Sequence, residues 1–334
     1  MFGSATLEVM IGIVLVFVLF STICTAIREG IEAWLKTRAA YLELGILQLL
    51  KDKDGSGSRL ALNFYNHPLI YTLFSGEYSP RPAKEKPPIL AKGHNLPSYI
   101  PAANFAVALM DLAGRGPDPQ QMTSERNGPV ISLDSIRSNL EHLGNPAVQR
   151  VLQAAIDTAE GDLKKVQANL EAWYNAAMDR VSGWYKRSTQ WILFWIGLFV
   201  AIGLNINTIT IADYLYRNDA ARAALVAQAG TAATDIGYLE RTYEDVQKEL
   251  DAMDLPIGWS HGWGTPRPGT DLDSSGAWNI YFVPVLGWLL TALAATVGAP
   301  FWFDVLNKFM VIRSTVKPHE KSPEEASEDR QLPR

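Results

Sequence analysis

A chain of 334 residues with a net charge of −5 and no lysine- or arginine-rich patch is not built to grip a nucleic-acid backbone. Its single cysteine, Cys24, excludes an intrachain disulfide. The 48 % hydrophobic content averages over unlike parts, because three long uncharged runs alternate with very polar segments, and that pattern points to a membrane protein.

The first apolar run is Leu7 to Ile27, with Glu8 at its outer end. It is too long for a secretory signal peptide and no Lys or Arg precedes Arg28, so it reads as a retained anchor. Ile31, Leu35, Leu42, Ile46 and Leu49 continue at helical spacing, which predicts one helix ending near Lys51, with Trp34 and Tyr41 in the interfacial zone. DKDGSG from Asp52 and DLDSSG from Asp271 match the start of an EF-hand loop, but Asn63 and Phe282 stand where the closing carboxylate belongs. Neither is expected to hold a metal, and each reads as a solvated turn.

A short helix broken at Pro68 is predicted next, then a proline-rich loop near 75–100. The run from Pro101 to Gly114 predicts a helix, a second loop covers about 114–131, and Ser132 caps a helix ending near Gly144. Asn145-Pro146 is a strong helix start. From it Val148, Leu152, Ala155, Ala159, Leu163, Val166, Leu170, Trp173, Ala177, Val181 and Trp184 recur every three or four residues. The stripe predicts one long helix entering the second apolar run, with Gly161 and Gly183 as weak points.

That second run carries no charge between Arg187 and Asp213. Arg180, Lys186 and Arg187 beside Trp184 and Tyr185 read as an anionic-lipid collar. Asn205, Asn207, Thr208 and Thr210 fall in its last part and suit helix–helix hydrogen bonds, without the full-length polar stripe a pore helix needs. A helical pair follows over 213–253, and Trp259, Trp263 and Trp278 are candidate interfacial anchors. The third run, 279–303, holds Ala294, Ala295, Gly298 and Ala299, a small-residue face for close helix packing, and Pro300 is expected to kink it. Asp304 and Lys308 read as a helical ion pair, and a charged tail ends the chain.

Basic residues follow the first run, precede the second and follow the third. They predict an N-terminus outside, residues 28–189 as a cytoplasmic helical domain, 213–278 as an external cap and 304–334 as a cytoplasmic tail. Spacing for a nucleophile elbow, a zinc helix or a phosphate loop is missing, and the five histidines are scattered, so no catalytic residue, metal or cofactor is assigned.

HPLI at His67, PSYIPAANFAVALMDL from Pro97, DRVSGWYKR from Asp179, LPIGW at Leu255 and GAPFWFDVLNKFMVIRS from Gly298 occur in this order. With them the chain resembles a family of uncharacterised bacterial inner-membrane proteins with three transmembrane helices. The resemblance implies bacterial origin and a shared architecture, and it transfers no activity. The expectation is an all-α membrane protein acting as a scaffold or interaction protein, whose partners are the bilayer and a second copy or another membrane protein. The alternatives are a subunit of a pore or transporter, then a membrane-embedded enzyme.

Overall fold

The computed structural model describes residues 2–51, 58–79, 95–116, 131–235, 237–253, 255–259 and 282–316, and among these there is helix but no strand. Both half-matched EF-hand loops, most of the loops near 75–100 and 114–131, and the tail after Val316 lie outside the described residues. The chain divides into two compact units, Met1–Glu29 with Gln190–Arg334, and Gly30–Thr189.

Helix α1 (Phe2–Leu35) does not run on to Lys51 as the periodicity predicted. Lys36 takes a left-handed conformation, φ 52°, and α2 (Thr37–Leu49) starts afresh. Glu32 makes this break tolerable, because its carboxylate accepts from the Thr37 hydroxyl and, at 2.9 Å, from the Arg38 N–H. It does the work of an N-cap for α2 from the preceding turn.

In the unit Gly30–Thr189, α2 packs with α3 (Ser58–Tyr65), α4 (Pro68–Tyr71), α5 (Ala102–Arg115), α6 (Leu133–Asn139), α7 (Pro146–Asp157) and the first part of α8 (Leu163–Gly203). α5 runs past Gly114, which is buried inside the helix near Ile136, and ends at Gly116, φ 89°. The expected single helix from Asn145 is two helices, because Glu160 and Gly161 both adopt positive φ. The stripe survives the break: Val148, Leu152 and Ala159 from α7 and its turn, and Val166 and Leu170 from α8, are buried in one core with Phe64, Phe105 and Leu109. Asn145 ties this core together. Its Oδ1 accepts from Ala147 and Val148 at 3.1 Å each, and its Nδ2 donates to the Leu50 carbonyl at 2.7 Å, so one buried side chain caps the start of α7 and the end of α2.

The other unit is built around the apolar part of α1. Only α1, over Ala5–Leu35, is by itself long and apolar enough to cross a membrane among the described residues; two bent helix pairs raise the count to three if each serves as one span. In the first pair α8 stops at Gly203 and α9 (Thr208–Arg217) continues at 54°. In the second, α12 (Val283–Val297) and α13 (Ala299–Val316) meet at 97°. The third run is therefore not one kinked helix. The turn falls at Gly298, φ 93°, two residues before Pro300, which then occupies the first turn of α13, where its missing N–H costs nothing.

α10 (Asp219–Thr234) packs along α13, with Gly230 near Met310 and the Tyr238 ring stacked on Phe303 at 6.0 Å. A Cβ on Gly12 of α1 would meet Leu215 of α9 and Leu225 of α10. These helices therefore pack on the apolar helices of their own unit. Arg241 holds the turn between α10 and α11 (Tyr243–Ala252) by pairing with Asp235 at 2.9 Å and Glu249 at 2.8 Å.

Candidate functional site

Two places concentrate polar groups against apolar surroundings. The first lies in the unit Gly30–Thr189, where α2, the start of α5 and α8 enclose a cavity of about 390 Å³. Gly45 lets α2 and α8 close behind it, since a Cβ there would lie 2.5 Å from Val181 Cγ2. Buried Tyr41 and Tyr174 line it with Leu42, Met178 and Val181, and the exposed side chains of Arg38 and Lys186 join Tyr99 and Tyr185 in its wall. Ser98, Asn175 and Ser182 add neutral polar groups, and none of the lining residues is acidic.

The Tyr174 hydroxyl donates to the Ile100 carbonyl at 2.9 Å, which fixes the segment leading into α5, and burial pushes its pKa up so that it stays neutral. Tyr41 meets Tyr185 edge to face at 5.9 Å. Ala102, the first residue of α5, also lines the cavity, and Pro101 before it offers that first turn no side-chain hydrogen bond. Neither Arg38 nor Lys186 forms a side-chain ion pair among the described residues.

The second place is the break between α8 and α9, in the other unit. Asn205, φ 51°, donates to the Gly258 carbonyl at 3.0 Å and accepts from the Trp288 indole at 3.2 Å. Asn207 caps α9 by accepting from Ile209 and Thr210, and donates to Pro284 O at 3.2 Å. Thr208 and Thr291 share a hydrogen bond of 2.7 Å, and Trp259 donates to the freed carbonyls of Ile202 and Gly203. A broken helix in an apolar setting exposes backbone groups that must find partners, and here α12 and the 255–259 segment supply them. The arrangement locks α9 to α12.

The collar residues have separate surroundings. Arg180 lies over the Trp184 ring at 5.5 Å, Lys186 lines the cavity, and Arg187 reaches the Gly183 carbonyl of its own helix, at 3.5 Å. Trp34 is 71 % exposed, whereas Trp259 belongs to the helix break; Trp263 and Trp278 lie outside the described residues. Among the small residues, Ala294, Ala295 and Ala299 are buried, and Gly298 forms the turn. Ala292 is buried as well, and with Ala295 it meets Gly197 of α8, where a Cβ would sit 3.0 Å from Ala295 Cβ. Gly197, on the second apolar run, completes this seam from outside the small-residue spacing of the third. Asp304 and Lys308 are both exposed, and no ion pair joins them.

Two further clusters were not legible in the sequence. His67 Nδ1 accepts from Leu69 N–H, so its Nε2 carries the proton and donates to Asp111 at 3.2 Å, and Arg115 holds the other oxygen of Asp111 at 2.8 Å. The His67 hydrogen bond, then Arg115, holds the Asp111 carboxyl below its usual range. Glu8 of α1 faces Arg222 at 3.4 Å and Arg313 at 3.8 Å. No family model, curated protein or solved structure matches the chain.

Proposed function

We propose that this chain is a bacterial inner-membrane protein acting as an anchored scaffold, in which the unit around α1 sits in the bilayer and residues 30–189 form a cytoplasmic interaction domain. One observation carries the reading. α1 is largely covered by its neighbours, while α8 and α12 turn large apolar side chains outward at helical spacing: Trp191, Trp195 and Phe199 on the one, Leu286, Leu290 and Leu293 on the other, with Phe199 71 % and Leu293 53 % exposed. An apolar exterior over an already packed interior suits lipid and is costly in water. The polar groups at the α8–α9 break are spent on one another, which favours a rigid anchor over a conducting path.

The orientation proposed is N-terminus outside, from the basic flanks. The ion pairs of Glu8 favour a revised end for the chain. Trp302 packs against Phe17 at 4.8 Å and Arg313 reaches Glu8, so α13 runs back along α1 toward its N-terminal end. We take α12–α13 as a re-entrant pair, with the end of α13 on the same side as the N-terminus.

Three measurements test this. Alkaline carbonate washing of membranes should leave the protein in the pellet; release into the supernatant removes the membrane reading. Reporter fusions truncated at Lys53 should report cytoplasm and at Gly237 the outside; the opposite pair inverts the orientation. A reporter at Arg334 should lie outside, and a cytoplasmic signal there restores a straight third crossing.

A further inference from the structure

We propose that the cavity between α2 and α8 binds an amphiphilic phosphate ester, with the phosphate held by Arg38 and Lys186 and the apolar body lying against Leu42, Met178 and Val181. The sign of the ligand follows from the lining. Two cations face the cavity, no carboxylate does, and neither cation is neutralised by an ion pair among the described residues. The first turn of α5, which has no side-chain cap, favours the same sign. Arg38 supplies a planar fork matched to phosphate oxygens, and Lys186 a compact charge.

The shape of the ligand follows from the remaining walls. Tyr41 and Tyr174 are buried and their rings, with the three aliphatic side chains, make an apolar interior. Ser98, Asn175 and Ser182 can hydrogen-bond the ester region. A cavity of about 390 Å³ lies in the range of small-molecule sites and exceeds what a bare phosphate fills. In sequence, Lys186 stands just before the uncharged run from Ser188 to Ala212, the place where a chain entering a bilayer meets phosphate headgroups. The inference does not depend on the scaffold reading, since a soluble ligand tests it.

The experiment uses the full chain purified in a non-ionic detergent and titrated calorimetrically with three probes: dihexanoyl phosphatidic acid, dihexanoyl phosphatidylcholine and inorganic phosphate. Phosphatidic acid should bind saturably and the zwitterionic lipid should not. Arg38→Gln and Lys186→Gln should each weaken binding roughly tenfold, as expected for a lost charge-assisted hydrogen bond. Ser182→Leu, which fills the cavity without altering charge, should weaken it too. Arg137→Gln, which removes an exposed cation paired with Asp157 elsewhere in the unit, should leave it unchanged. Inorganic phosphate binding more weakly than phosphatidic acid identifies a lipid headgroup as the source; equal binding identifies a free phosphate and overturns the amphiphile. Equal affinity for the zwitterionic lipid, unchanged binding in the Arg38→Gln/Lys186→Gln double variant, or the same loss in Arg137→Gln overturns the site.

Discussion

Asn207 lies directly against the bare backbone of Gly287, where any added Cβ would overlap its carboxamide. The contact brings the α9 cap onto α12 and lets Asn207 donate to Pro284 O, one turn back along the same helix. Gly287 is thus fixed by packing and not by backbone conformation. Gly287→Ala is expected to destabilise the purified protein by about 1–3 kcal/mol through overpacking. Asn207→Ala should do comparable harm by removing the cap, and the double variant should recover part of the loss because the missing carboxamide makes room. Thermal melts of the three variants in one detergent check this; strictly additive losses would show that the two residues do not share a contact.

The seam of α8 and α12 gives a second expectation. Gly197→Leu should destabilise by about 1–3 kcal/mol, since Ala292 and Ala295 leave no room. Ala292→Leu should be equally harmful, because Ala292 is fully buried against the same glycine. Leu293→Ala, on the outward face of α12, should be nearly neutral. Melting behaviour in which Ala292→Leu and Leu293→Ala match would dissolve the seam.

Asn145 offers a test in the other unit. Asn145→Ala removes two cap bonds and leaves the Leu50 carbonyl without its donor, so a loss of about 1–3 kcal/mol is expected. Asn145→Ser keeps a cap acceptor and loses the bond to Leu50 without burying a charge, so it should fall between alanine and wild type. Chemical denaturation of the three proteins ranks them, and a serine variant as damaged as alanine would assign the effect to the Leu50 bond and not to the cap.

The Asp111 contact predicts a pH dependence. Its carboxyl is held below the ordinary value, first by the hydrogen bond from His67 and then by Arg115. The folded state therefore binds this proton less readily than the unfolded chain, so the contact stabilises in full above the unfolded value of about 4 and is lost as pH falls through the lower folded value. Asp111→Asn should cost about 1–2 kcal/mol at neutral pH, with the gap to wild type closing below about pH 4. Stability curves of both proteins across that range decide it; a gap that stays constant with pH would show that the charge of Asp111 is not what stabilises.

Most local events are written in the segments where they occur. Ser132 and Asn145-Pro146 start helices where their chemistry requires, Pro68 breaks the short helix, and the stripe from Val148 to Val181 is buried largely as its period demands. These outcomes depend on neighbours within a turn or two, so a local pattern contains them. The break at Glu160 and Gly161 falls on a glycine that the stripe already marks as weak, whereas the breaks at Lys36 and Asn205 have no such mark in the sequence. Each of these two places a non-glycine residue alone in a left-handed conformation, a cost of roughly 1–2 kcal/mol at Lys36, where Glu32 offsets it by capping α2, and less at Asn205. What sustains the Asn205 break is supplied from afar: Trp288 and Gly258 bond Asn205, Trp259 takes the freed carbonyls, and Gly287 yields space for Asn207 next to it. The cavity likewise joins Arg38, Tyr99 and Lys186, which are far apart in the chain, and α13 meets α1 through Trp302 on Phe17 and Arg313 on Glu8. Apolar period and cap chemistry are properties of a segment, whereas strain, cavities and ion pairs exist only once remote segments share the same space.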